Sequence, residues 1–483
     1  MLFNSIEYLI FFPIVVVLYF TMPNRWRWVL LLVASYIFYM CWRAEYVVLI
    51  MITTLIDYLI GLKLAQKIPK KKKKAFLVIS IIANLGMLAG FKYLNFFSQS
   101  INDFLNVFNS DVSFPVYNIL LPVGISFYVF QSLSYTIDVY RGNSPAEKHL
   151  GKFALYVSFF PQLVAGPIER STSLIPQIHK PLPFSEERLV SGLKLMLWGF
   201  FKKLVIADRL GMFVNYVYEN PTQHAGLTII LATILFAFQL YCDFSGYTDI
   251  ARGSARILGF ELMINFNRPL IAKSLRDFWN RWHISLTTWF RDYVLYSLPY
   301  VKNNEVKLNL FNRNLIITFL LMGLWHGASW TFVLFGLFHG IMLVAETITE
   351  KARHRFFEHT GIIKSGKLIN TLGLLTTFTL VVFSLYFFRA NSLSDSMLLI
   401  KNSFDFSGMR ESVVYMLKNN ELTFGILMVI FLMIAEQLHA KRNLLAIIAT
   451  KPIFFRWSLY SGFVFFILVF GVLYEQKFIY FQF

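Results

Sequence analysis

The chain has 483 residues, of which 57% are hydrophobic and only 15% are charged, and its mean hydropathy is +0.56. A soluble protein of this length would need far more charge to cover its surface, so the composition excludes a soluble globular fold. The net charge of +18 does not require a nucleic-acid partner, because the basic residues lie in short loops between apolar runs.

Apolar runs recur along the whole chain, and a bilayer-spanning helix needs roughly 20 such residues. In chain order they cover residues 2–20, 30–40, 46–60, 75–90, 117–137, 189–206, 227–241, 315–324, 331–345, 372–388, 422–434 and 458–472. Several are shorter than a full span. We predict an all-α polytopic membrane protein with about ten to twelve transmembrane helices in a single domain, residues 1–483. The first run lacks a basic leader and a cleavage site, which indicates a retained helix.

Basic residues follow every second apolar run. Arg25 and Arg27 follow the first, lysines fill positions 70–74 after the third, and Arg141 follows the fifth; further basic loops lie near 351–355 and 441–442. This alternation predicts that these loops are cytoplasmic and that the N-terminus faces outward. Attraction to anionic lipid headgroups accounts for the excess of positive charge.

Four segments between the runs differ from simple spans. Residues 102–115 and 390–420 are polar enough to form outward loops. Residues 160–184 hold five prolines, which cannot continue a helix, and predict a re-entrant or interfacial element. Residues 265–300 combine aromatic and charged side chains, with an apolar stripe at helical spacing formed by Leu275, Trp279, Trp282, Leu286, Trp289 and Tyr293. This pattern predicts an amphipathic helix in or near the interface, which either anchors the chain or carries function.

Ionisable residues inside apolar segments are costly, so each is a functional candidate. His326 lies between Gly323 and Gly327 in LMGLWHGASW, where a helix break would place an imidazole at depth against closely approaching backbone or ligand. The alternative is a histidine that only bonds a neighbouring helix. His339 would lie on another face of a continuous helix and is interpreted as a packing or supporting residue. The other histidines, except His283 of the aromatic segment, lie in polar loops or at segment ends and are expected to be solvated.

Buried-looking carboxylates occur at Asp138, Asp243 and Asp249. A membrane-embedded carboxylate needs a partner, and Arg141, Arg252 or Arg256 could supply one, so structural pairing is the favoured role, as it is for Ser245. The two cysteines, Cys41 and Cys242, lack the spacing of a metal or redox site. No nucleotide-binding, HExxH or GxSxG motif appears, which leaves the histidines as the acid–base candidates.

Long ordered blocks of the chain resemble the membrane-bound O-acyltransferase family, and in particular its bacterial branch that includes alginate O-acetyltransferase membrane subunits. The blocks are MLFNSIEYLIFFPIVVVLYF, LPVGISFYVFQSLSYTIDVYRG, FFPQLVAGPIERS, FQLYCDFSGYTDIARG, NFNRPLIAKSLRDFWNRWHISLTTWFRDYVLY and GLWHGASWTFVLFGLFHG. They run from the first residue to about Glu346. The resemblance implies a core at 1–350, with further transmembrane helices at 351–483, in the bacterial inner membrane.

The resemblance also implies the site. The family's essential histidine corresponds to His326, and its second polar residue corresponds to His283, 43 positions earlier. A ring of tilted helices would surround a narrow tunnel, with a funnel from each side meeting near these histidines. The histidine would act as base in acyl transfer from a thioester such as acetyl-CoA, with no bound cofactor and no metal. The expected substrate contacts are Trp279, Asn280, Trp282, Trp325 and Ser329.

These expectations favour an O-acetyltransferase for an exported polysaccharide, working with an exported SGNH-type partner enzyme. A basic inner face formed by lysines 70–74, Lys202 and Lys203 would attract the phosphates of the donor. One alternative within the family is D-alanyl transfer from a carrier protein to teichoic acid. An alternative of another class is a proton-coupled transporter using His283, His326 and Asp243, although the chain lacks the paired halves common in transporters.

Overall fold

The computed structural model describes residues 1–164, 166–302, 305–361, 365–473 and 478–479. Within these residues the chain is helical almost throughout, and the only sheet pairs two-residue strands, β1 (Val301–Lys302) and β2 (Glu305–Val306), antiparallel to each other. The predicted all-α class is confirmed.

The first half of the chain forms eleven described α-helices. They are α1 (Ile6–Thr21), α2 (Asn24–Met40), α3 (Val47–Leu64), α4 (Lys70–Leu88), α5 (Leu94–Val107), α6 (Ile125–Arg141), α7 (Leu150–Ser158), α8 (Phe160–Leu163), α9 (Ser171–His179), α10 (Glu186–Phe200) and α11 (Asp208–Tyr218). A 3₁₀ turn at Ala44–Tyr46 precedes α3. Wider π-helical turns at Ala89–Tyr93 and Phe201–Ala207 join α4 to α5 and α10 to α11, so each pair forms one continuous helical run.

The second half continues in the same way. Its helices are α12 (Leu227–Ile257), α13 (Leu275–Trp279), α14 (Ile284–Tyr293), α15 (Leu308–His326), α16 (Trp330–His359), α17 (Gly366–Arg389), α18 (Leu393–Asn402), α19 (Met409–Lys418), α20 (Asn420–Arg442), α21 (Leu444–Ala449) and α22 (Ile453–Phe470), with 3₁₀ turns at Pro269–Ile271 and Leu295–Ser297. Serine side chains cap the N-termini of several helices, which satisfies backbone N–H groups that have no partner within the helix; these are Ser5, Ser185, Ser274, Ser329, Ser365 and Ser392.

Eight helical segments of the described chain are long and apolar enough to cross a membrane. They are Ala44–Leu64, Lys70–Val107, Leu227–Ile257, Leu308–His326, Trp330–His359, Gly366–Arg389, Asn420–Arg442 and Ile453–Phe470. The polytopic membrane fold is thereby confirmed. The prediction of ten to twelve transmembrane helices also counted apolar helices that are too short to meet this length requirement. An example is α1, which is apolar but has 16 residues. In the apolar stretch of α12, 72% of the residues are buried, so this helix lies inside the fold. In α22 only 6% are buried, so this helix presents its apolar side chains outward.

The loops after α1, α3 and α6 meet at one end of the fold, which we call the basic end (residues 22–28, 65–74 and 141–152). The rings of Trp28 and His149 lie 4.6 Å apart, and the Tyr58 hydroxyl donates to the Lys148 carbonyl at 2.6 Å. The structure therefore brings together basic loops that the charge pattern assigned to one side of the membrane.

Lys202 and Lys203 do not belong to that basic end, which corrects the expectation that they form a basic surface. They are 3% and 1% exposed and lie in the π-helical turn after α10. Lys202 Nζ donates to Asp249 at 2.8 Å and to Ser245 at 2.9 Å. Because both ammonium groups are buried and paired, neither is available to attract a soluble anion.

Most of the buried carboxylates pair with residues other than the predicted arginines. Asp243 pairs with Lys203 at 2.7 Å, and the same ammonium donates to Asp208 at 2.7 Å. Asp249 pairs mainly with Lys202, and Arg252 approaches it at 3.7 Å. Asp138 accepts a hydrogen bond from the Tyr293 hydroxyl at 2.6 Å. Structural pairing is the role found, but the lysines come from another helical run, which sequence spacing does not reveal.

Two predicted outward loops are partly helical. Helix α5 continues to Val107, and the Asn102 side chain then exchanges two hydrogen bonds with the Phe114 backbone, which ties the following segment back along the helix. Residues 390–420 contain α18 and α19, and a Ser392 cap starts the first of them. In the described part of the proline-rich residues 160–184, the short helices α8 and α9 stand in place of a continuous span, and a re-entrant or interfacial position for this segment stays a prediction.

Candidate functional site

The helical structure is interrupted at the glycine-flanked histidine, as the sequence predicted. Helix α15 ends at His326, Gly327 is extended, and α16 starts at Trp330 behind the Ser329 cap. The two helices pack closely through glycines: a Cβ on Gly336 would lie 2.2 Å from the Phe319 carbonyl oxygen, so only glycine permits this approach. The close hairpin holds His326, which is 3% exposed, at a helix end inside the protein.

The end of α15 has carbonyl groups that no residue of the helix can satisfy. Lys92, from the π-helical turn between α4 and α5, donates through Nζ to the carbonyls of Trp325 at 2.6 Å and His326 at 3.1 Å. The neighbouring Tyr93 hydroxyl donates to the Leu324 carbonyl at 2.9 Å. A distant helical run therefore fixes the backbone that carries the histidine. π-Helical turns of this kind are frequent at functional sites.

Two cavities reach His326. The first, which we call the tryptophan cavity, has a volume of about 20 Å³ and is lined by aromatic and apolar groups, with Trp279, Trp282 and Phe388 among them. The second, the lysine cavity, has a volume of about 70 Å³ and is lined by Lys92, Trp325 and residues 121–127. His326 is the residue that the described linings of the two cavities share. A group entering from either cavity would meet the same imidazole.

Like His326, His283 lies next to the Trp325 ring. It is 0% exposed, and its ring centroid is 5.7 Å from the Trp325 ring, which in turn lies 5.0 Å from His326. The ring of Phe244, from the central helix α12, contacts His283 edge-on at 4.6 Å. The structure thus brings the two predicted catalytic histidines to one place, with an indole in contact with both.

The backbone at His283 is held in an unusual conformation. Its φ of +42° lies in the left-handed region, which costs a residue other than glycine of order 1–3 kcal/mol. Asn265 holds the turn: its carbonyl accepts from the Ile284 N–H at 2.9 Å, and its side chain accepts from the N–H and hydroxyl of Ser285, both at 3.0 Å. Strain that is maintained by buried hydrogen bonds is typical of functional sites.

This turn corrects the prediction of one interfacial amphipathic helix at 265–300. The segment forms two short helices, α13 and α14, on either side of the turn at His283. All six residues of the predicted apolar stripe are buried in the protein. The stripe identified the buried side chains correctly, but they pack against neighbouring helices rather than lipid headgroups. Trp289, for example, stacks on Phe130 with ring centroids 3.8 Å apart.

His339 lines the tryptophan cavity together with His326, which the break between α15 and α16 makes possible. The Trp279 indole N–H donates to His339 Nδ1 at 3.3 Å, and His339 Nε2 lies 3.0 Å from the Ser384 hydroxyl. These contacts fit the supporting role predicted for His339, because the ring orients a tryptophan of the cavity wall.

The five predicted substrate contacts divide into those that line a cavity and those that do not. Trp279 and Trp282 line the tryptophan cavity, and Trp325 lines the lysine cavity. Asn280 is exposed and lines neither cavity, and Ser329 is half-buried and caps α16 through a bond from the Thr331 N–H at 3.3 Å. The structure therefore assembles the three tryptophans around the histidines but does not bring Asn280 there.

Sequence reasoning missed Lys92 and Ser384. Lys92 had a usable signal, because a lysine inside the apolar run GFKYLNFF is expensive in a membrane and calls for a specific partner. Ser384 had none, since a single serine in an apolar helix is unremarkable. Only the packing of α17 against α16 brings it to the cavity.

Comparison with known proteins is consistent with this arrangement. Residues 147–387 match the model of the membrane-bound O-acyltransferase family. The chain is 36% identical over 439 residues to the probable alginate O-acetylase AlgI of Pseudomonas aeruginosa, covering 90% of this chain and 81% of that protein. It is 32% identical to the peptidoglycan O-acetyltransferase of Helicobacter pylori over 80% of this chain and 75% of that protein. The match to the teichoic acid D-alanyltransferase of Bacillus subtilis is 29% identical and covers 57% of this chain and 70% of that protein.

Proposed function

The chain belongs to the membrane-bound O-acyltransferase family, and from this premise we propose that it transfers an acetyl group from a thioester donor for the O-acetylation of an exported cell-surface polysaccharide. Two kinds of relative support the acceptor class, since one is named for alginate and another for peptidoglycan. The observation that carries the proposal is the position of His326, which lines two separate cavities. A two-substrate transfer needs such a group where donor and acceptor meet.

In the proposed reaction the acceptor hydroxyl gives its proton to the His326 imidazole as its oxygen attacks the thioester carbonyl carbon. The tetrahedral intermediate then collapses, the carbon–sulfur bond breaks, and the leaving thiolate takes the proton back from the imidazolium. The products are an ester and a free thiol. General base catalysis by a positioned histidine contributes about 10²–10⁴-fold to such a reaction.

The remaining residues would position the reactants. We assign His283 to orient the acceptor or to steady the thioester carbonyl, and the indoles of Trp279, Trp282 and Trp325 to form walls that exclude water. Exclusion of water protects the acyl donor from hydrolysis and strengthens the polar contacts at the reacting atoms. Acetyl-CoA is the proposed donor.

We propose that residues 1–350 form the catalytic core and that residues 351–483 add further transmembrane helices. Helix α17 belongs to the second part, yet its Ser384 and Phe388 line the tryptophan cavity. The second part would therefore complete the site rather than serve only as an anchor.

Purified protein in detergent tests the chemistry. Wild-type protein should release free thiol from acetyl-CoA in the presence of a hydroxyl acceptor, and His326→Ala should reduce this rate at least 100-fold while the protein remains expressed and folded. His283→Ala should also lower turnover severely. His439→Ala is the matched control, because that histidine is exposed on α20. Normal product formation by the His326 variant would refute the mechanism.

Cells test the acceptor and the acyl group together. Ester-bound acetate on cell-surface glycans should be lost when the protein is removed and restored by wild type but not by His326→Ala. The D-alanyl alternative predicts loss of ester-linked D-alanine with acetate unchanged. That outcome would keep the enzyme class and overturn the acetyl assignment.

We further propose a relay in the bacterial inner membrane, with the N-terminus outside and the basic end in the cytoplasm. The acetyl group would pass to an exported SGNH-type partner enzyme that modifies the finished polymer. Liposomes with acetyl-CoA confined to the basic-end side should acetylate bulk polysaccharide only when that partner is present. Acetylation at full rate without the partner would exclude the relay.

A further inference from the structure

The basic end contains a third cavity, which is separate from the site. This basic cavity has a volume of about 470 Å³ and is bordered by the start of α2, the start of α7 and the end of α9. It has no described lining residue in common with either cavity that reaches His326. Its contents therefore need not be a substrate of the transfer.

The cavity wall is positively charged. Arg25, Arg27 and Lys152 line it, and its described lining contains no carboxylate. An acid beside the lining, Glu147, is already engaged, because its carboxylate lies 2.7 Å from His179 Nε2. The other nitrogen of that ring lies 2.9 Å from Lys152 Nζ, which holds the ammonium group at the wall. The described lining thus concentrates positive charge, and the carboxylate beside it is taken up by His179.

The backbone adds to this charge. Helices α2 and α7 both begin at the cavity, since Asn24 and Trp28 line it from the first and His149 and Lys152 from the second. The N-terminus of a helix carries partial positive charge, which favours a bound anion. At α7 the His149 N–H already donates to Glu147 and the Lys152 N–H to the His149 ring, so the basic side chains are the groups left to bind one. Two helix starts and three basic side chains therefore face one space.

The surroundings indicate that this space lies at the surface of the membrane. Trp26, which is 51% exposed, and the half-buried Trp28 lie just after the turn between α1 and α2, as aromatic residues do at the level of lipid headgroups. Next to the cavity, helix α1 exposes apolar side chains on its outer face, with Val17 62% and Leu18 43% exposed. A polar headgroup in the cavity would leave its acyl chains against this apolar surface.

We propose that the basic cavity binds the phosphate of an anionic phospholipid whose acyl chains lie along the exposed face of α1. Arg25 and Lys152 are the side chains that would contact the phosphate. Arg27 serves a different purpose, because its guanidinium donates to the carbonyls of Met22 at 3.2 Å and Leu182 at 3.0 Å and so ties α2 to the segment after α9. The bound lipid would join the same elements, which makes it a stabilising component of the basic end.

The test measures binding of phosphatidylglycerol to the purified full-length protein by native mass spectrometry, with phosphatidylcholine as the neutral comparison. Wild type should retain phosphatidylglycerol selectively. Arg25→Gln combined with Lys152→Gln should weaken this binding roughly 30-fold, which corresponds to about 1 kcal/mol for each basic residue removed at a membrane surface. Arg25→Lys with Lys152→Arg should retain most of it.

The control variant removes two exposed lysines of the basic end that lie outside the cavity, Lys71→Gln with Lys72→Gln. It should bind phosphatidylglycerol like wild type. Equal loss in both double variants would mean diffuse surface attraction and would overturn the site. A second arm adds inorganic pyrophosphate to protein in phosphatidylcholine. If pyrophosphate stabilises the protein against heat and phosphatidylglycerol does not, the cavity takes a soluble anion and the lipid assignment is wrong.

Discussion

Replacement of Lys92 by methionine tests whether the end of α15 must be held for catalysis. The variant keeps a side chain of similar length and apolar bulk but removes the two donors to the carbonyls of Trp325 and His326. Hydrogen bonds that involve a charged group contribute about 1.5–3 kcal/mol each, so the loss should be about 3–6 kcal/mol of local stability. The end of α15 would then be free to shift.

The shift should appear in turnover more than in binding. Displacement of a catalytic group by about 1 Å costs of order 100-fold in rate. We expect Lys92→Met to lower kcat between roughly 10- and 100-fold, to change the donor KM little, and to lower the thermal midpoint. The assay is acetyl transfer by purified protein, with kcat and KM determined separately.

Two variants control for this reasoning. Lys92→Arg retains the charge and should restore most of the turnover. Tyr93→Phe removes the single bond to the Leu324 carbonyl and should cost about 1 kcal/mol, with a correspondingly smaller effect. If Lys92→Met shows wild-type kcat and thermal midpoint, the lysine does not position the histidine. If it raises KM alone, Lys92 is a contact of the substrate in the lysine cavity.

Three further predictions address stability and orientation. Burial raises the pKa of Glu169 from 4.5 to about 7, so the folded protein holds a proton that the unfolded chain releases. Stability should therefore fall by roughly 3 kcal/mol between about pH 4.5 and 7 and then level off, and Glu169→Gln should remove this slope in thermal unfolding; an unchanged slope would contradict the assignment. Gly336→Ala should destabilise by about 1–3 kcal/mol, because its Cβ would meet the Phe319 carbonyl, whereas Gly462→Ala, with open space around it, should not; equal thermal midpoints would exclude the close approach of α15 and α16. A cysteine placed at positions 70–74 should react with an impermeant reagent only after permeabilisation, and reaction in intact cells would reverse the proposed orientation.

The sequence predicted the histidine break because two independent signals agreed there. The apolar region around His326 was too long for one span, and glycines bracketed the histidine. Both signals are local, and the structure has the break between α15 and α16 where they placed it. The aromatic stripe of α13 and α14 likewise identified its buried residues, because spacing along the chain reports which side chains share a face.

The turn at His283 could not be predicted in this way. A left-handed residue is normally signalled by glycine or asparagine, and here a histidine adopts the conformation because Asn265, 18 residues earlier, holds the turn. Continuous helical periodicity across the turn therefore concealed the break. The sequence also failed to predict that Lys203 pairs with Asp243, because two lysines after an apolar run are typical of a cytoplasmic anchor. Contacts between distant helices decided both cases.

The buried lysines have a consequence for how the protein is made. Lys202 leaves the ribosome before Asp249, the acid with which it pairs, whereas Lys203 is followed within five residues by one of its two partners, Asp208. An unpaired lysine at the centre of a bilayer costs about 2.5–3.5 kcal/mol during insertion, and Lys202 would carry that cost until Asp249 arrives. The run from α10 to α11 should therefore stay beside the insertion machinery until α12 emerges, and the two should enter the lipid together. Biogenesis of this part of the protein is thus set by a pair of helical runs rather than by single spans.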